Sequence, residues 1–115
     1  MRKDDLVRLR HMLDAAREAL SFTTGRSRSD LDTNRMLVLS LVKDIEIVGE
    51  AASKVSMEAR TENTNIPWLD IIDMRNHLIH AYFDVDLDIV WDTVTQDFPA
   101  LLVELEKIVP PVKRT

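Results

Sequence analysis

"DTNRMLVLSLVKDIEIVGEAASKVSMEA" occupies residues 32–59, with Gly49 as its only glycine and no proline. Leu37, Leu41, Ile45, Val48, Ala52 and Val55 recur every three or four residues, the signature of one apolar helix stripe. Met36, Val38, Leu39, Val42 and Ile47 widen that stripe past a single face. A helix that is apolar on more than one side needs more than one neighbour. The stretch is therefore read as a central helix from about Asp32 to about Ala59, with other helices packed around it. A mid-helix glycine costs ~1 kcal/mol against alanine. At Gly49, followed by Ala51, Ala52 and Ser53, close approach of another helix explains why that cost is tolerated.

The flanking sequence supplies those neighbours. Residues 4–21 carry Leu6, Leu9, Leu13, Ala16 and Leu20 as a second stripe, with Asp4 and Asp5 suited to the first turn. "TTGRSRSDLDTN" is polar and reads as a loop, with Gly25 at the helix stop. "TENTNIPW" reads as a second loop. Pro67 suits the first turn of a third helix, where its missing N–H costs nothing. That helix runs to about Ile79, with Leu69, Ile72, Leu78 and Ile79 facing inward. "AYFDVDLD" is a turn or extended segment, after which Asp86 or Asp88 caps the last helix. Leu87, Val90, Trp91, Val94, Phe98, Leu101, Leu102, Leu105 and Ile108 form its stripe. Pro99 lies inside that stripe and should kink the helix or start a new segment. Trp68 and Trp91 read as core or interface residues. The expectation is an all-α, up-and-down bundle of four to five helices, in a single domain spanning residues 1–115.

Composition narrows the function. Two glycines and four prolines suit long helices rather than a turn-rich sheet. With no cysteine, disulfides, thiol chemistry and cysteine-based zinc sites are excluded. The opening "MRKDDLVRLRHML" lacks the apolar run of a signal peptide, and no stretch is long enough to span a membrane. A cytoplasmic protein is expected. The net charge of −5 argues against coating nucleic acid by bulk charge. Residues 1–30 nevertheless hold seven Arg and Lys against five Asp and Glu, whereas residues 31–115 hold eight against fifteen. Arg26 and Arg28, in the first loop, are candidate contacts to a polyanion. His11 reads as a surface residue.

Chemistry concentrates in "DIIDMRNHLIHAYFDV", residues 70–85, which holds two of the three histidines and the only tyrosine. His77 and His80 are three apart with no glutamate between them, unlike the two-histidine zinc motif. No metal and no cofactor are expected, and no glycine-rich phosphate loop occurs. A phosphodiester is a better match. Metal-free cleavage of RNA needs a base at the 2′-hydroxyl and a positive group over the phosphate. Histidine supplies the base, and the forked guanidinium of arginine matches phosphate geometry. Arg75 and His80 are those two parts. Five residues apart on an ideal helix, they diverge by roughly 140°. They meet only if the helix unwinds near His80 or a second copy completes the site. A structural arginine ion pair and a capping histidine would account for the same residues.

"RNHLIHAY", residues 75–82, resembles the R-x-x-x-x-H-x-Y motif of the HEPN superfamily, in its HepT-like toxin subgroup. "EIVGEAASKVS" before it and "VWDTVTQDFPALLVELE" after it are similar to the family's central-helix and last-helix segments, in order. The resemblance implies a HEPN-like fold, with Arg75 and His80 as the ribonuclease pair and Asn76 shaping the site. It implies Tyr82 as the residue to which a cognate MntA-type nucleotidyltransferase antitoxin transfers AMP from ATP. It implies a homodimer with facing motifs, which would answer the angular difficulty, and metal-independent cleavage of RNA, including tRNA, in a type VII toxin–antitoxin pair. Glu50, in "GEAA", is a candidate ion-pair partner of Arg75. His77 is an extra histidine without a catalytic role. The alternative is a catalytically inactive helical subunit that binds nucleotide or docks the nucleotidyltransferase.

Overall fold

Residues 1–80 and 84–111 are described in the computed structural model, the side chains of Ile79 and His80 excepted. Within them every regular element is helical, as the scarcity of glycine and proline suggests. Helix α1 (Lys3–Thr23) opens with Asp4 and Asp5 in its first turn, at the positive end of the helix dipole. It stops just before Gly25, whose φ of 73° is a left-handed conformation that glycine adopts at little cost. Its buried apolar side chains are Leu9, Met12, Leu13, Ala15, Ala16 and Ala19. The inward stripe is thus rotated from the expected one, leaving Leu6 and Leu20 half-buried at its edge.

Helix α2 (Arg35–Lys54) begins at Asn34, whose side-chain oxygen accepts from the Leu37 N–H at 3.0 Å. The stripe Leu37, Leu41, Ile45, Val48, Ala52 and Val55 is buried throughout, as are Val38 and Val42. Met36 and Leu39 are instead exposed. Helix α1 packs along one side of α2 and α4 (Trp68–His80) along another, so α2 is central. It is shorter than its periodicity indicates, ending at Lys54, and a separate helix α3 (Met57–Glu62) follows. Distant groups impose this break. The Asp5 carboxylate accepts from the Ser56 N–H at 2.8 Å and from its hydroxyl at 2.7 Å. Those bonds hold the Asp5 carboxyl below the usual range. The Arg60 guanidinium donates to the carbonyls of Ala52, Ser53 and Val55 at 3.0–3.1 Å, satisfying the open end of α2.

Pro67 precedes α4 by one residue, and its carbonyl takes the Ile71 N–H. Trp68 is buried and donates Nε1–H to the Asn63 carbonyl at 3.0 Å. Leu78 points inward, but Leu69 is 71% exposed, contrary to expectation. The side chain of Ile79 lies outside the described residues. Asp86 caps α5 (Leu87–Asp92), accepting from the N–H groups of Asp88 and Ile89. A wide π-helical turn, Thr93–Asp97, joins α5 to α6 (Phe98–Ile108). There the Phe98 N–H reaches back five residues to the Thr93 carbonyl. Pro99 accounts for the position of this turn. It has no N–H for the Thr95 carbonyl, and its ring would collide with that carbonyl in a regular helix. The wide turn also keeps Val90, Val94 and Phe98, each four residues apart, on one buried face. The molecule measures 43 × 35 × 20 Å, so its short axis is two helices thick. Each enclosed leucine at its centre, such as Leu9, Leu41 or Leu105, contributes roughly 1.5–3 kcal/mol of apolar burial. No helix among the described residues is long and apolar enough to cross a membrane.

One carboxylate interrupts the α1–α2 contact. Asp44 is 2% exposed, and its Oδ2 has no hydrogen-bond partner among the described residues. Burial, then a shared hydrogen bond and like charge from Glu18 of α1, push its carboxyl up to about 7, against an ordinary value of 3.8. A folded-state value above the unfolded one means that the fold holds this proton more tightly. The resulting stabilisation is full below the unfolded value and is lost as pH rises through about 7. Asp44→Asn removes the titration and keeps the shape. It should stabilise the protein at pH 8 by roughly 1–3 kcal/mol, because the neutral amide places no buried charge beside Glu18. It should also flatten the decline between pH 4 and 7. Thermal melts of both proteins across that range test this; curves that stay parallel would rule it out.

Candidate active site

Arg75 lies two-thirds of the way along α4, at the closest approach of α4 to α2. A Cβ built on Gly49 would sit 2.1 Å from the Arg75 Cβ, 2.7 Å from its Cγ and 3.2 Å from the Ile71 carbonyl oxygen. The missing side chain of Gly49 is therefore the space that the stem of Arg75 fills. This is the close helix approach expected at Gly49, and the approaching helix is α4. The next residue of α2, Glu50, forms an ion pair with the Arg75 guanidinium through Nη2. Lys54, one turn further on, holds the other carboxylate oxygen of Glu50 at 3.3 Å. The Lys54 hydrogen bond, assisted by the charge of Arg75, keeps the Glu50 carboxyl below its usual range against the effect of burial.

The second anchor of Arg75 is Asn76, whose Oδ1 accepts from Nη1 at 2.8 Å. Helix α4 remains regular through His80, so the chain does not unwind between Arg75 and His80. Their backbone positions stay roughly 140° apart around the axis. Asn76 narrows that gap. It sits about 100° round from Arg75 and one turn before His80, and its hydrogen bond draws the guanidinium toward the side of the helix where His80 falls in register. Leu69, Asp73 and Asn76 share that side and are exposed. Among the described residues, Glu50 and Asn76 take two of the five N–H groups of Arg75. The side chain of His80 lies outside the described residues, and Tyr82 and Phe83 lie outside them altogether.

Two concavities flank α4. A cleft of about 460 Å³ separates α4 from the π turn and α6. Its floor is apolar, formed by Ile45, Val48, Ile71 and Leu101, and its rim carries Asp70, Asp97 and Glu104. Burial, with the charges of Asp92 and Asp70, holds the Asp97 carboxyl above its usual range. That acidic rim is hostile to phosphate. A smaller groove of about 280 Å³ lies between α1, α2 and α4, and Arg75 forms part of its wall. His11, read from the sequence as a surface residue, is exposed and borders this groove. Arg8, Lys43 and Lys54 border it as well, and sequence reading did not single them out. The four-residue step from Glu50 to Lys54 and the seven-residue step from Lys43 to Glu50 were the available signals, since both put side chains on one face of α2. Arg28 pairs with Asp32 at 3.0 Å and with Asp88 of α5. It ties the 28–32 turn to the last helical arm. Arg26 is exposed.

The family model described as Ribonuclease HepT-like matches residues 12–108. A Methanocaldococcus jannaschii protein named for a gamma-glutamylcyclotransferase and a candidate RNase is 37% identical over 108 residues, 94% of this chain. The chain spans about half of that relative, 49% of its length. A candidate RNase of the same organism is 30% identical over 91% of this chain and 96% of its own length. A candidate ribonuclease HepT of Thermococcus cleftensis is 33% identical over 76% of this chain and 79% of its own length. No solved structure matches the chain significantly. With its helical architecture, its anchored Arg75 and a family match over most of its length, the chain belongs to the HepT-like ribonuclease family.

Proposed function

We propose that the protein is a metal-independent endoribonuclease in which Arg75 and His80 act on one phosphodiester. The observation that carries this reading is the anchoring of Arg75 by Glu50 of α2 and by Asn76, which lies on the side of α4 where His80 falls in register. An arginine held on two sides loses little further freedom on meeting a phosphate. In the proposed step His80 takes the proton of the 2′-hydroxyl, and the 2′-oxygen attacks phosphorus. Arg75 stabilises the charge that grows on the non-bridging oxygens. The 5′-oxygen leaves and is protonated, so one fragment ends in a 2′,3′-cyclic phosphate and the other in a 5′-hydroxyl. Asn76 positions both partners.

The same reading assigns the protein to a type VII toxin–antitoxin pair. The Tyr82 hydroxyl attacks the α-phosphate of ATP on a cognate MntA-type nucleotidyltransferase, pyrophosphate leaves, and AMP remains on the tyrosine. Two residues from His80, that phosphate would compete for Arg75 and repel RNA. A homodimer is part of the proposal. The exposed side of α4 that carries Leu69 among Asp73 and Asn76 is surface that a second copy would cover, and a second copy would add another Arg75 near each His80. The test is a single preparation. The protein, dimeric by light scattering, should cleave total RNA or tRNA in EDTA and leave cyclic phosphate ends. Incubation with the nucleotidyltransferase and ATP should add one or more adenylates and silence cleavage, whereas Tyr82→Phe should gain none. No cleavage by the unmodified dimer rejects the enzyme. Equal mass gain in the phenylalanine variant rejects the switch.

A further inference from the structure

We propose that the groove between α1, α2 and α4 is a binding track for the phosphodiester backbone of single-stranded RNA, which Arg8 and Lys43 lead toward Arg75. This deepens the ribonuclease reading and rests on it for the identity of the ligand. The first observation is local charge. Arg8, Lys43, Lys54 and Arg75 line the groove against Glu46 and Glu50, a positive balance within a chain of net charge −5. Both Glu50 oxygens are engaged, one by Lys54 and one by Arg75.

The second observation concerns which cations the fold leaves uncommitted. Three arginines are held by structural contacts elsewhere: Arg17 by Glu106, Arg28 by Asp32 and Asp88, and Arg60 by backbone carbonyls. Arg8 and Lys43 have no acidic group within ion-pair distance among the described residues, as is also true of Lys3, Arg26 and Arg35, which stand apart from the groove. Arg8 and Lys43 are both in this groove, on different helices. An uncompensated pair of cations on converging elements, continuous with an anchored arginine, is suited to a mobile anion. Lys43 and Lys54 are eleven residues apart, roughly 16 Å along the helix, so the track is longer than one phosphate. Among the described residues its helical walls carry no Phe, Tyr or Trp, and His11 is the one ring bordering it, which favours backbone over base contact. On the other side of α4 the acidic rim of the larger cleft would turn the strand away.

Binding is measured on His80→Ala protein with a fluorescent single-stranded RNA, so that affinity is read independently of cleavage. Adding Arg8→Gln and Lys43→Gln should weaken binding at low salt for every RNA sequence tried. Each phosphate contact on a single strand contributes about 0.7 to the slope of log affinity against log salt, so the slope should become shallower by roughly 1.4 for the two. The control removes two exposed cations elsewhere, Lys3→Gln with Arg35→Gln, and should leave the slope nearly unchanged. Equal losses in both double variants would mean bulk charge and overturn the track. Unchanged affinity in the Arg8/Lys43 variant, or no RNA binding by the parent, would also overturn it. RNA binding that depends on the groove, in a protein whose His80 form cleaves nothing, would leave the track standing and reject the ribonuclease reading.

Discussion

Alanine at position 80 is expected to lower RNA cleavage by about 10²–10⁴-fold, the range for losing a positioned general base, while the fold remains intact. Imidazole is the side chain whose ordinary titration lies near neutral pH, so within the motif only the other histidine, His77, could replace it. His77 is one turn earlier on the same side of α4, which makes it the natural objection. Were His77 the base, the His80→Ala protein would retain most of its activity and His77→Ala would lose it. Position 80 is the last residue of α4, where alanine is at least as good a helix former as histidine. The Glu50–Arg75–Asn76 contacts are made among those three side chains. Loss of cleavage with an unchanged helical circular dichroism spectrum and melting temperature is therefore the expected pairing. Undiminished cleavage by a preparation free of other nucleases would remove His80 from the chemistry.

Gly49→Ala is the second large effect, and it sets two principles in opposition. Intrinsic helix propensity favours alanine by ~1 kcal/mol, so an isolated α2 would be strengthened. Packing opposes it. Carbon atoms in contact rest roughly 3.5–4.0 Å apart, yet the new methyl would lie 2.1 Å from the Arg75 Cβ and 2.7 Å from its Cγ. A change of rotamer cannot relieve the first clash, because Cβ is fixed to the backbone. Helix α4 must move away from α2 by more than an ångström. We expect net destabilisation of about 1–3 kcal/mol from overpacking. We also expect cleavage to fall by about 10²-fold, since a shift of that size at a positioned group costs about that much. Thermal unfolding, with cleavage assayed well below the melting temperature, measures both. A variant as stable and as active as the parent would show that Arg75 is not seated on Gly49.

What the sequence alone made legible follows local rules. The stripe Leu37–Leu41–Ile45–Val48–Ala52–Val55 could be read because helical periodicity turns spacing into a face, whatever the partner. Asp86 as a cap and Pro99 as a disruption were equally local, because the capping oxygen and the missing N–H act within one turn. The motif that carries Arg75 and His80 was visible through its resemblance to a family pattern, since the chemistry of its residues also allowed a purely structural reading. Leu69 was misread because it lies near the boundary of an apolar stripe, and only the position of α2 decides which side of α4 is covered.

The tertiary structure decided what periodicity does not encode, namely which polar groups from distant parts of the chain come together. Asp5 and Ser56, 51 residues apart, end the central helix where its pattern still runs on. Arg28, free by its sequence context, is tied to Asp88, 60 residues away. Arg75 obtains its ion pair from Glu50, 25 residues earlier, and its space from an absent side chain at Gly49. Periodicity specifies a burial direction, and that is a one-dimensional property of each helix. Ion pairs and clearances depend on the distance and angle between two helices. Those are settled only when the buried faces of α1, α2 and α4 pack together.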